Sequence, residues 1–546
     1  MRRRRDLLIS LSLSNLCFLD IWDTQWHANF LQNRPAGGPL AVVWPQIVTV
    51  LICTGALWTV LYCLRRFGND RVMRMAKWAA LALFCALPLN VLRIRAGLSL
   101  SSSTSTASIV IAAALAAALS IVALRRREWL LASPAILSLV LVPLLPIQLG
   151  QTLWSLRHLR SDSVFADKPA STPADRHGQQ PPRILWLVFD ELDGCLLFDQ
   201  RPLTLALPEI DRLADQSVKG ECAYPAASMT HVALPSLMTG RPVEELTWAR
   251  PDQAMIRFKE ARHPVSWSEQ ENLFTRLRDA GANAALVGWY LPYCRLIGGS
   301  LASCWWQSAA MMEYVVNRPL IHHVKAHFRS RLYYLPLAKR ALKPGAGYAS
   351  LLADPQARAW VREREISDYK NVRNTALSTI DDTRFDVILV HSPIPHLLGI
   401  YDRTRRELSE DDRNSYMGNL ALVDVMLGEV RRKLEAAGQW EDTIVLVTSD
   451  HPLRPELNQK EIWWTQEDAA VSKNKECPYV PFLLKLTNQK KRVSISTRFN
   501  TIVIHDLILA LVRGRIDSPA SVAEWIEARK CEDCGTIKLS RSNPAP

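Results

Sequence analysis

The first 155 residues alternate between apolar segments and short arginine-bearing loops. Each apolar segment approaches the length of about 20 residues that a helix needs to cross a bilayer. The pattern predicts five membrane-spanning helices, at 7–22, 41–64, 76–92, 106–124 and 129–151. The first segment is similar to a signal peptide, but it lacks a small-x-small cleavage site and further apolar segments follow it. We therefore interpret it as a retained helix and predict a transmembrane domain over residues 1–155.

Positive charge is unevenly distributed among the loops of this domain. The loops rich in positive charge contain Arg2–Arg5, Arg65–Lys77 and Arg125–Arg127. The loops poor in positive charge contain mainly Arg34, Arg93 and Arg95. Cytoplasmic loops of membrane proteins carry the excess of Lys and Arg. The N-terminus is therefore predicted to be cytoplasmic, and five crossings place the rest of the chain on the periplasmic or extracellular side of the inner (plasma) membrane. The alternative is a set of buried helices in a soluble protein.

The pattern changes after a polar, proline-bearing linker at 156–182. Short apolar runs rich in β-branched residues then alternate with segments of helical periodicity. The runs lie at 184–189, 284–289, 386–390, 443–447 and 480–486. Such runs are typical of buried parallel strands, and their alternation with helices predicts a doubly wound sheet. Residues 183–546 are therefore predicted to form an α/β domain.

The formal net charge of +13 lies largely in short runs beside the apolar segments. This arrangement favours a membrane surface as partner, and no nucleic-acid-binding motif accompanies the charge, so nucleic acid is not an expected partner. Residues 314–352, the basic segment, contain no Asp or Glu but several Lys, Arg and His. This segment is predicted to be either a solvated basic helix or a surface that contacts anionic lipid headgroups.

Three of the predicted strands end in residues that commonly bind metal ions. The run at 184–189 leads into Asp190 and Glu191, and the run at 443–447 leads into Asp450 and His451. In open α/β sheets, ligands bind at the carboxyl ends of the strands. Carboxylates and imidazoles that converge on one sheet edge suit a divalent cation. Taken singly, each residue has an ordinary alternative as a helix cap or a hydrogen-bonded histidine.

The third of these strands, at 386–390, ends in His391, and His396 follows five residues later. A separate stretch, 224–241, places small and hydroxyl residues before a short helix-like run that ends at Gly240. Thr230 lies near the predicted helix start, where free backbone N–H groups favour an anion. Its hydroxyl becomes a nucleophile only if a base or a metal activates it. An ordinary capped helix is the alternative.

The order of these motifs resembles the sulfatase and alkaline phosphatase superfamily. The resemblance covers roughly residues 183–515 and joins the Asp190 strand, Thr230 with Pro-Ser-Leu-Met-Thr-Gly-Arg241, His391 with His396, and Thr-Ser-Asp450-His451. Sulfatases have a Cys or Ser, later converted to formylglycine, where this chain has Thr230. A Thr at this position is similar to the phosphodiesterase and phospholipid-headgroup transferase branches. With five preceding spans, the chain resembles bacterial phosphoethanolamine transferases and lipoteichoic-acid-type phosphoglycerol transferases.

The resemblance implies roles for individual residues in an alkaline-phosphatase-like catalytic domain. Thr230 matches the catalytic nucleophile and, with Asp190, Asp450 and His451, the set that holds one divalent ion (Mn, Mg, Zn or Ca). Glu191 matches the second carboxylate of that set. His396, with His391 as its competitor, matches the histidine that contacts the transferred group. The chain departs from the family at Pro452, where a Gly is usual. For the Lys or His that the family places downstream, near the site, only Lys460 and Lys475 are candidates.

The implied function is transfer of a phospholipid-derived phosphoryl headgroup, phosphoethanolamine or phosphoglycerol. The donor would be a membrane phospholipid, and the acceptor a glycan or lipid of the cell envelope. Two alternatives remain: a membrane-tethered phosphodiesterase or sulfuric-ester hydrolase, and a non-catalytic protein that binds envelope glycan.

The cysteines bear on the compartment of the predicted catalytic domain. Cys294 and Cys304 flank a turn-like segment and are predicted to form a disulfide in an oxidising space. Cys531 and Cys534 are predicted to form either a local disulfide or half of a metal site. Three further cysteines have no assigned role: Cys195, Cys222 and Cys477.

Overall fold

The chain forms two compact units that interleave along the sequence. A computed structural model describes residues 2–18, 21–22, 39–67, 72, 142, 144–150, 165–172, 181–317, 319–333, 355–396, 398–458, 463–473, 478–531 and 534. The helical unit comprises Met1–Asp162 and Val316–Ala346, and the α/β unit comprises Ser163–Val315 and Gly347–Pro546. The chain therefore leaves the α/β unit near residue 316 and returns to it after residue 346.

The helical unit contains three long helices in its described residues: α1 (Arg2–Cys17), α2 (Pro39–Phe67) and, from the basic segment, α9 (Leu320–Tyr333). Within the described ranges, one helical stretch, Val43–Phe67, is long and apolar enough to cross a membrane. It coincides with the span predicted at 41–64, and α1 covers much of the first predicted span. The spans at 76–92 and 106–124 lie outside the described residues, as does most of 129–151, of which 144–150 are helical. The five-span arrangement thus stays a prediction.

Polar and aromatic side chains join the helices of this unit. Asp6 on α1 forms an ion pair with Arg65 at the end of α2, with oxygen and nitrogen 2.6 Å apart. The α9 helix packs on α2, where the Thr49 hydroxyl lies 2.9 Å from Nδ1 of His327. The ring of Phe328 meets that of Phe18 edge to face, with centroids 5.2 Å apart. Buried polar groups need such partners, so these contacts fix α9 within the helical unit.

The remaining helices begin in the α/β unit. They are α3 (Gly194–Leu197), α4 (Pro208–Asp215), α5 (Thr230–Thr239), α6 (Leu273–Asp279), α7 (Tyr293–Ile297), α8 (Ala310–Asn317), α10 (Pro355–Asp381), α11 (Tyr416–Ala436), α12 (Pro455–Asn458), α13 (Gln466–Ser472), α14 (Ile504–Val512) and α15 (Pro519–Glu527). Single 3₁₀ turns occur at Trp267–Glu269, Gly298–Ser300 and Thr501–Val503.

The strands of this unit are β1 (Arg183–Asp190), β2 (Val218–Gly220), β3 (Ala223–Tyr224), β4 (Val243–Arg250), β5 (Gln253–Phe258), β6 (Val265–Ser266), β7 (Ala284–Trp289), β8 (Ser303–Gln307), β9 (Val387–Pro395), β10 (Tyr401–Asp402), β11 (Glu407–Leu408), β12 (Thr443–Ser449), β13 (Phe482–Lys485), β14 (Val493–Ile495) and β15 (Phe499–Asn500). Eight of them form the main sheet in the order β14-β2-β13-β12-β1-β9-β7-β8. The β4, β5 and β6 strands form a small separate sheet, and β10–β11 and β3–β15 are isolated pairs.

Helices cover both faces of the main sheet. Successive residues of β1 enter opposite core clusters: Ile184, Trp186 and Val188 on one face, and Leu185, Leu187 and Phe189 on the other. The first cluster includes residues of α5, α6, α14 and α15, and the second includes residues of α4, α10 and α11. A strand buried on both faces has no polar alternation, which explains why the run at 184–189 is continuously apolar. The predicted doubly wound α/β fold is confirmed.

Five neighbouring strands, β12, β1, β9, β7 and β8, run parallel, in agreement with the prediction for four of the apolar runs. The prediction that the fifth run, at 480–486, is also a parallel strand is wrong. It contains β13, which pairs antiparallel with β12. The chain leaves β12 at its carboxyl end and enters β13 from that same edge, so the direction reverses. Apolar composition reports burial and not strand direction.

Candidate active site

The central strands β1 and β12 end side by side at one edge of the sheet. Their register pairs Phe189 with Ser449, so the residues that follow these two positions face the same opening. A change of register between Phe189 and Asp190 relative to β9 turns the chain out of the sheet at this point. Glu191 then adopts a left-handed conformation with φ of 63°. The fold thus brings Asp190 and Asp450, far apart in sequence, to adjacent positions.

Asp450 and His451 are held rigidly by the backbone around them. Oδ1 of Asp450 accepts hydrogen bonds from the backbone N–H groups of Glu191, at 3.1 Å, and His451, at 2.8 Å. Nδ1 of His451 lies 3.1 Å from the carbonyl oxygen of Pro452. Because a carbonyl only accepts, Nδ1 carries the proton, and Nε2 presents its lone pair to the site. Pro452, the departure from the family pattern, thus supplies the acceptor that sets this tautomer.

Thr230 is the first residue of α5, and its side chain enters the same cluster. Its Oγ1 lies 3.1 Å from Nε2 of His451 and 3.4 Å from Oδ2 of Asp190. The helix begins after Met229, which has extended backbone, and ends at Gly240, whose φ of 67° suits a glycine. The first turn of a helix has unpaired N–H groups that favour negative charge. Thr230 therefore combines a hydroxyl with an anion-attracting helix end.

Three of these groups fit a divalent cation. The ligand atoms of Asp190, Asp450 and His451 lie within 4.8 Å of one another, and all three residues are buried. Oδ1 of Asp190 and Oδ2 of Asp450 have no hydrogen-bond partner among the described residues. Buried carboxylate oxygens without partners are costly, and two oxygens and an imidazole nitrogen are a donor set that suits Zn²⁺ or Mn²⁺.

The electrostatics of this cluster agree with a cation site. Burial, with the charges of Asp450 and Glu191, raises the pKa of Asp190 well above its usual range. Burial also raises the pKa of Asp450 to about 6, and burial together with Arg454 holds the pKa of His451 well below its usual range. Two ionised carboxylates are therefore unfavourable here without a counter-ion, and a bound cation would stabilise their ionised forms.

Glu191 lies beside this cluster and is not one of the three clustered groups. Its Oε1 accepts a hydrogen bond of 2.9 Å from Nε of Arg454, and its Oε2 lies 4.0 Å from Nε2 of His396. The carboxylate is fully buried, and the Arg454 side chain is 13% exposed. That Glu191 ligates the metal stays a prediction, and the partner that the structure shows is Arg454.

The two predicted substrate-contacting histidines have different environments. Nδ1 of His391 lies 2.9 Å from the Trp289 carbonyl oxygen and 3.0 Å from the Tyr293 hydroxyl, and burial lowers its pKa to about 3. The side chain of His396 is 31% exposed beside Glu191. His396 is therefore the one that an entering group can reach, while His391 belongs to the sheet interior.

Sequence reasoning missed two basic residues of the site. Arg454 contacts Glu191, and its Nη1 also donates to the carbonyl oxygen of Ser228 at 3.3 Å. His231 follows Thr230, and burial, with the charge of Arg454, lowers its pKa to about 4. The sequence indicated Arg454 only through its position three residues after His451 of the Asp-His pair. The two candidate lysines, Lys460 and Lys475, lie outside the described residues.

The cysteines of the α/β unit are mostly paired. Cys294 and Cys304 form a disulfide with Cα atoms 5.5 Å apart, and Cys531 is bonded to Cys534 rather than forming half of a metal site. Cys195 also takes part in a disulfide, whereas Cys222 has a free thiol. Cys477 lies outside the described residues. These pairings agree with an oxidising environment.

The doubly wound sheet, with its Asp-Asp-His cluster and Thr hydroxyl at one edge, is the arrangement of an enzyme of the sulfatase and phosphatase class. The family model described as type I phosphodiesterase / nucleotide pyrophosphatase matches residues 187–507. The chain therefore belongs to this family, which is part of the alkaline phosphatase superfamily. The superfamily predicted from the motif order is confirmed.

Several solved structures match part of the chain at low sequence identity and with low TM-scores. A protein of the alkaline phosphatase superfamily from Vibrio parahaemolyticus is 13% identical, with 64% of this chain and 74% of that chain covered and a TM-score of 0.36. The phosphonate monoester hydrolase of Agrobacterium radiobacter is 14% identical, with 61% and 74% covered and a TM-score of 0.34. The PsFucS1 sulfatase from Pseudoalteromonas sp. is 15% identical, with 64% and 75% covered and a TM-score of 0.37. A comparison with curated protein sequences gave no match.

Proposed function

We propose that this protein is a membrane-anchored, metal-dependent transferase that moves a phospholipid-derived phosphoryl headgroup through a covalent intermediate on Thr230. The observation that supports this most is the position of the Thr230 hydroxyl. It lies 3.1 Å from Nε2 of His451 and 3.4 Å from Asp190, at a helix start and beside a cation-binding cluster. A nucleophile, its activating group and an anion-attracting helix end therefore meet at one place.

Asp190, Asp450 and His451 would hold the metal ion. A divalent ion bound there supplies positive charge that lowers the pKa of a hydroxyl and offsets charge on phosphoryl oxygens. Thr230 Oγ1 loses its proton and forms a bond to phosphorus, while the bond from phosphorus to the diacylglycerol oxygen breaks and that oxygen takes up a proton. The acceptor oxygen then loses its proton and bonds to phosphorus, and the displaced Thr230 oxygen takes up a proton again. His396 and the N-terminus of α5 stabilise the negative charge that spreads over the phosphoryl oxygens.

The acceptor in this proposal is a glycan or lipid of the cell envelope. The support for a membrane setting is the apolar Val43–Phe67 helix together with the predicted spans around it. We propose that the α/β unit lies on the periplasmic or extracellular side, on the basis of the arginine distribution. An alkaline phosphatase reporter fused after residue 160 should be active, and a cytoplasmic reporter at the same point inactive; the reverse pattern refutes this orientation.

Hydrolysis is the second candidate function, because the matching family is one of phosphodiesterases. In that case water takes the place of the acceptor hydroxyl, and Thr230 keeps its role. The two functions differ in their products. A transferase leaves a modified envelope molecule together with diacylglycerol, whereas a hydrolase releases a free phosphorylated headgroup.

Lipid and glycan mass spectrometry of cells with and without the protein distinguishes these outcomes. Thr230→Ala should abolish the modified product, Thr230→Ser should retain part of it, and Ser228→Ala should retain nearly all of it, since Ser228 contributes only its backbone carbonyl to the site. Asp450→Asn should lose both product and bound metal. Product formation by Thr230→Ala, or its loss in Ser228→Ala, would show that the nucleophile is misassigned.

A further inference from the structure

The ion pair between Glu191 and Arg454 places a guanidinium next to the cluster of Asp190, Asp450 and His451. The Glu191 side chain is fully buried, so water does not screen its negative charge. Nε of Arg454 satisfies Oε1 at 2.9 Å, while Oε2 has no hydrogen-bond partner in the described ranges. His396 lies on that side, with its Nε2 4.0 Å from Oε2. The Glu191 carboxylate thus lies between a guanidinium and an imidazole.

Glu191 and His396 together resemble the beginning of a second cation site. A carboxylate oxygen and an imidazole nitrogen are metal ligands, and this pair adjoins a cluster that already fits one divalent ion. A second ion at this place would have to share Glu191 with the guanidinium of Arg454. Two cations on one carboxylate in a buried site repel each other strongly, because the local dielectric constant is low.

We infer that Arg454 takes the place of a second metal ion, so that the site binds one divalent cation and Glu191 serves as the counter-ion of Arg454. The charges agree with this assignment. Among the described residues, Asp190, Glu191 and Asp450 contribute three negative charges, which one divalent ion and one guanidinium neutralise. A second divalent ion would leave the buried site with an excess of two positive charges before any substrate enters.

The attachment of Arg454 to the surrounding chain supports a fixed position. Its Nη1 donates to the carbonyl oxygen of Ser228, two residues before Thr230. The guanidinium therefore joins the loop that precedes α5 to the end of β1. Arg is suited to this task because its planar group makes several directed hydrogen bonds and stays charged. A bound ion could dissociate, whereas this positive charge is a permanent part of the protein.

The test is a count of bound metal ions in the purified full-length protein. Protein stripped with a chelator is dialysed against graded Zn²⁺ or, separately, Mn²⁺, and bound metal is measured by mass spectrometry per mole of protein. We expect one ion in the unaltered protein, one in Glu191→Gln, and none in Asp450→Asn. Arg454→Met, which removes the charge while keeping a long side chain, is expected to bind a second ion.

Matched variants assign that second ion to Glu191 and His396. Arg454→Met combined with Glu191→Gln should return to one ion, and Arg276→Met should stay at one, because Arg276 pairs with Asp506 away from the site. Two ions in the unaltered protein, loss of the single ion in Glu191→Gln, or a single ion in Arg454→Met at all concentrations would each overturn the inference.

The inference rests on the metal-dependent function proposed above, but it requires neither transfer nor a particular acceptor. Absence of bound metal from the unaltered protein would refute the proposed function and the inference together. One bound ion without headgroup transfer would refute the transferase proposal and leave the role of Arg454 intact. The metal count therefore separates the two failures.

Discussion

Replacing Asn419 with Ala is expected to loosen the loop that carries His396. Asn419 is fully buried on α11. Its Nδ2 donates to the carbonyl oxygens of His396 and Leu398, both at 2.9 Å, and its Oδ1 accepts from the N–H of Ile400 at 2.9 Å. Nδ2 also donates to the carbonyl oxygen of Pro395 at 3.3 Å, so one side chain binds four backbone groups of the segment that carries His396.

The size of the effect follows from these contacts. Truncation leaves buried backbone groups without partners, at a cost of about 1–3 kcal/mol for each one that water cannot reach. Because part of the turn can relax toward solvent, we expect a total loss of roughly 3–5 kcal/mol in the free energy of unfolding. At roughly 2 °C per kcal/mol for a large domain, the melting temperature should fall by about 6–10 °C.

Thermal unfolding followed by tryptophan fluorescence measures this change in the full-length protein. Asn371→Ala is the matched control, because Asn371 is exposed and donates a single hydrogen bond, to Oε1 of Gln307 at 3.1 Å. Turnover of Asn419→Ala should fall as well, since His396 loses its support. If Asn419→Ala melts within about 2 °C of the Asn371 control, the buried hydrogen bonds do not hold the loop as argued.

Three further predictions concern stability, pH and attachment. Cys294→Ser should lower the free energy of unfolding by about 3 kcal/mol, because the disulfide closes a loop with a sequence separation of 10; the melting temperature measures this loss. Burial raises the pKa of Asp368 to about 7, so the folded protein holds a proton that the unfolded chain releases near pH 4. Stability should therefore fall as pH rises from about 4 to 7, and Asp368→Asn should flatten this dependence in denaturant titrations. After protease cleavage within the linker at 173–180, the α/β fragment should remain in the membrane fraction, because α9 belongs to the helical unit.

Each of these predictions has a control. Cys222→Ser removes a free thiol and should leave the melting temperature nearly unchanged. Glu363→Gln alters an exposed carboxylate on the same helix as Asp368 and should keep the pH dependence. His327→Ala combined with Phe328→Ala should release the cleaved fragment. Release of the unaltered fragment on cleavage alone, an unchanged pH dependence in Asp368→Asn, or full stability of Cys294→Ser would contradict the corresponding argument.

Local patterns along the chain were enough to predict the central part of the fold. Buried strands are continuous apolar runs, and the strands β1, β7, β9 and β12 fall on four such runs. The carboxyl ends of parallel strands meet at one edge, so Asp190, Asp450 and His451 could be placed together before any distance was known. Both facts depend on neighbours within a few residues and on a general rule of sheet topology.

Only the tertiary structure showed that Asp190, and not Glu191, lies in the cluster with Asp450 and His451. Asp190 and Glu191 are adjacent in sequence, and the left-handed backbone at Glu191 sends their side chains to different partners. Arg454 pairs with Glu191 across 263 positions. An ion pair of this kind depends on where two distant segments meet, and the sequence near either residue does not report it.

The sequence by itself located the apolar Val43–Phe67 helix and four strands of the central sheet, because buried segments are enriched in apolar residues. It also supplied the chemistry of the sheet edge, through Thr230 and the Asp-His pair. The direction of β13 and the inclusion of α9 in the helical unit were decided by tertiary structure. The physical reason is that an apolar segment is stabilised by burial against any apolar surface. Which surface it packs on depends on the connections and packing of the whole chain.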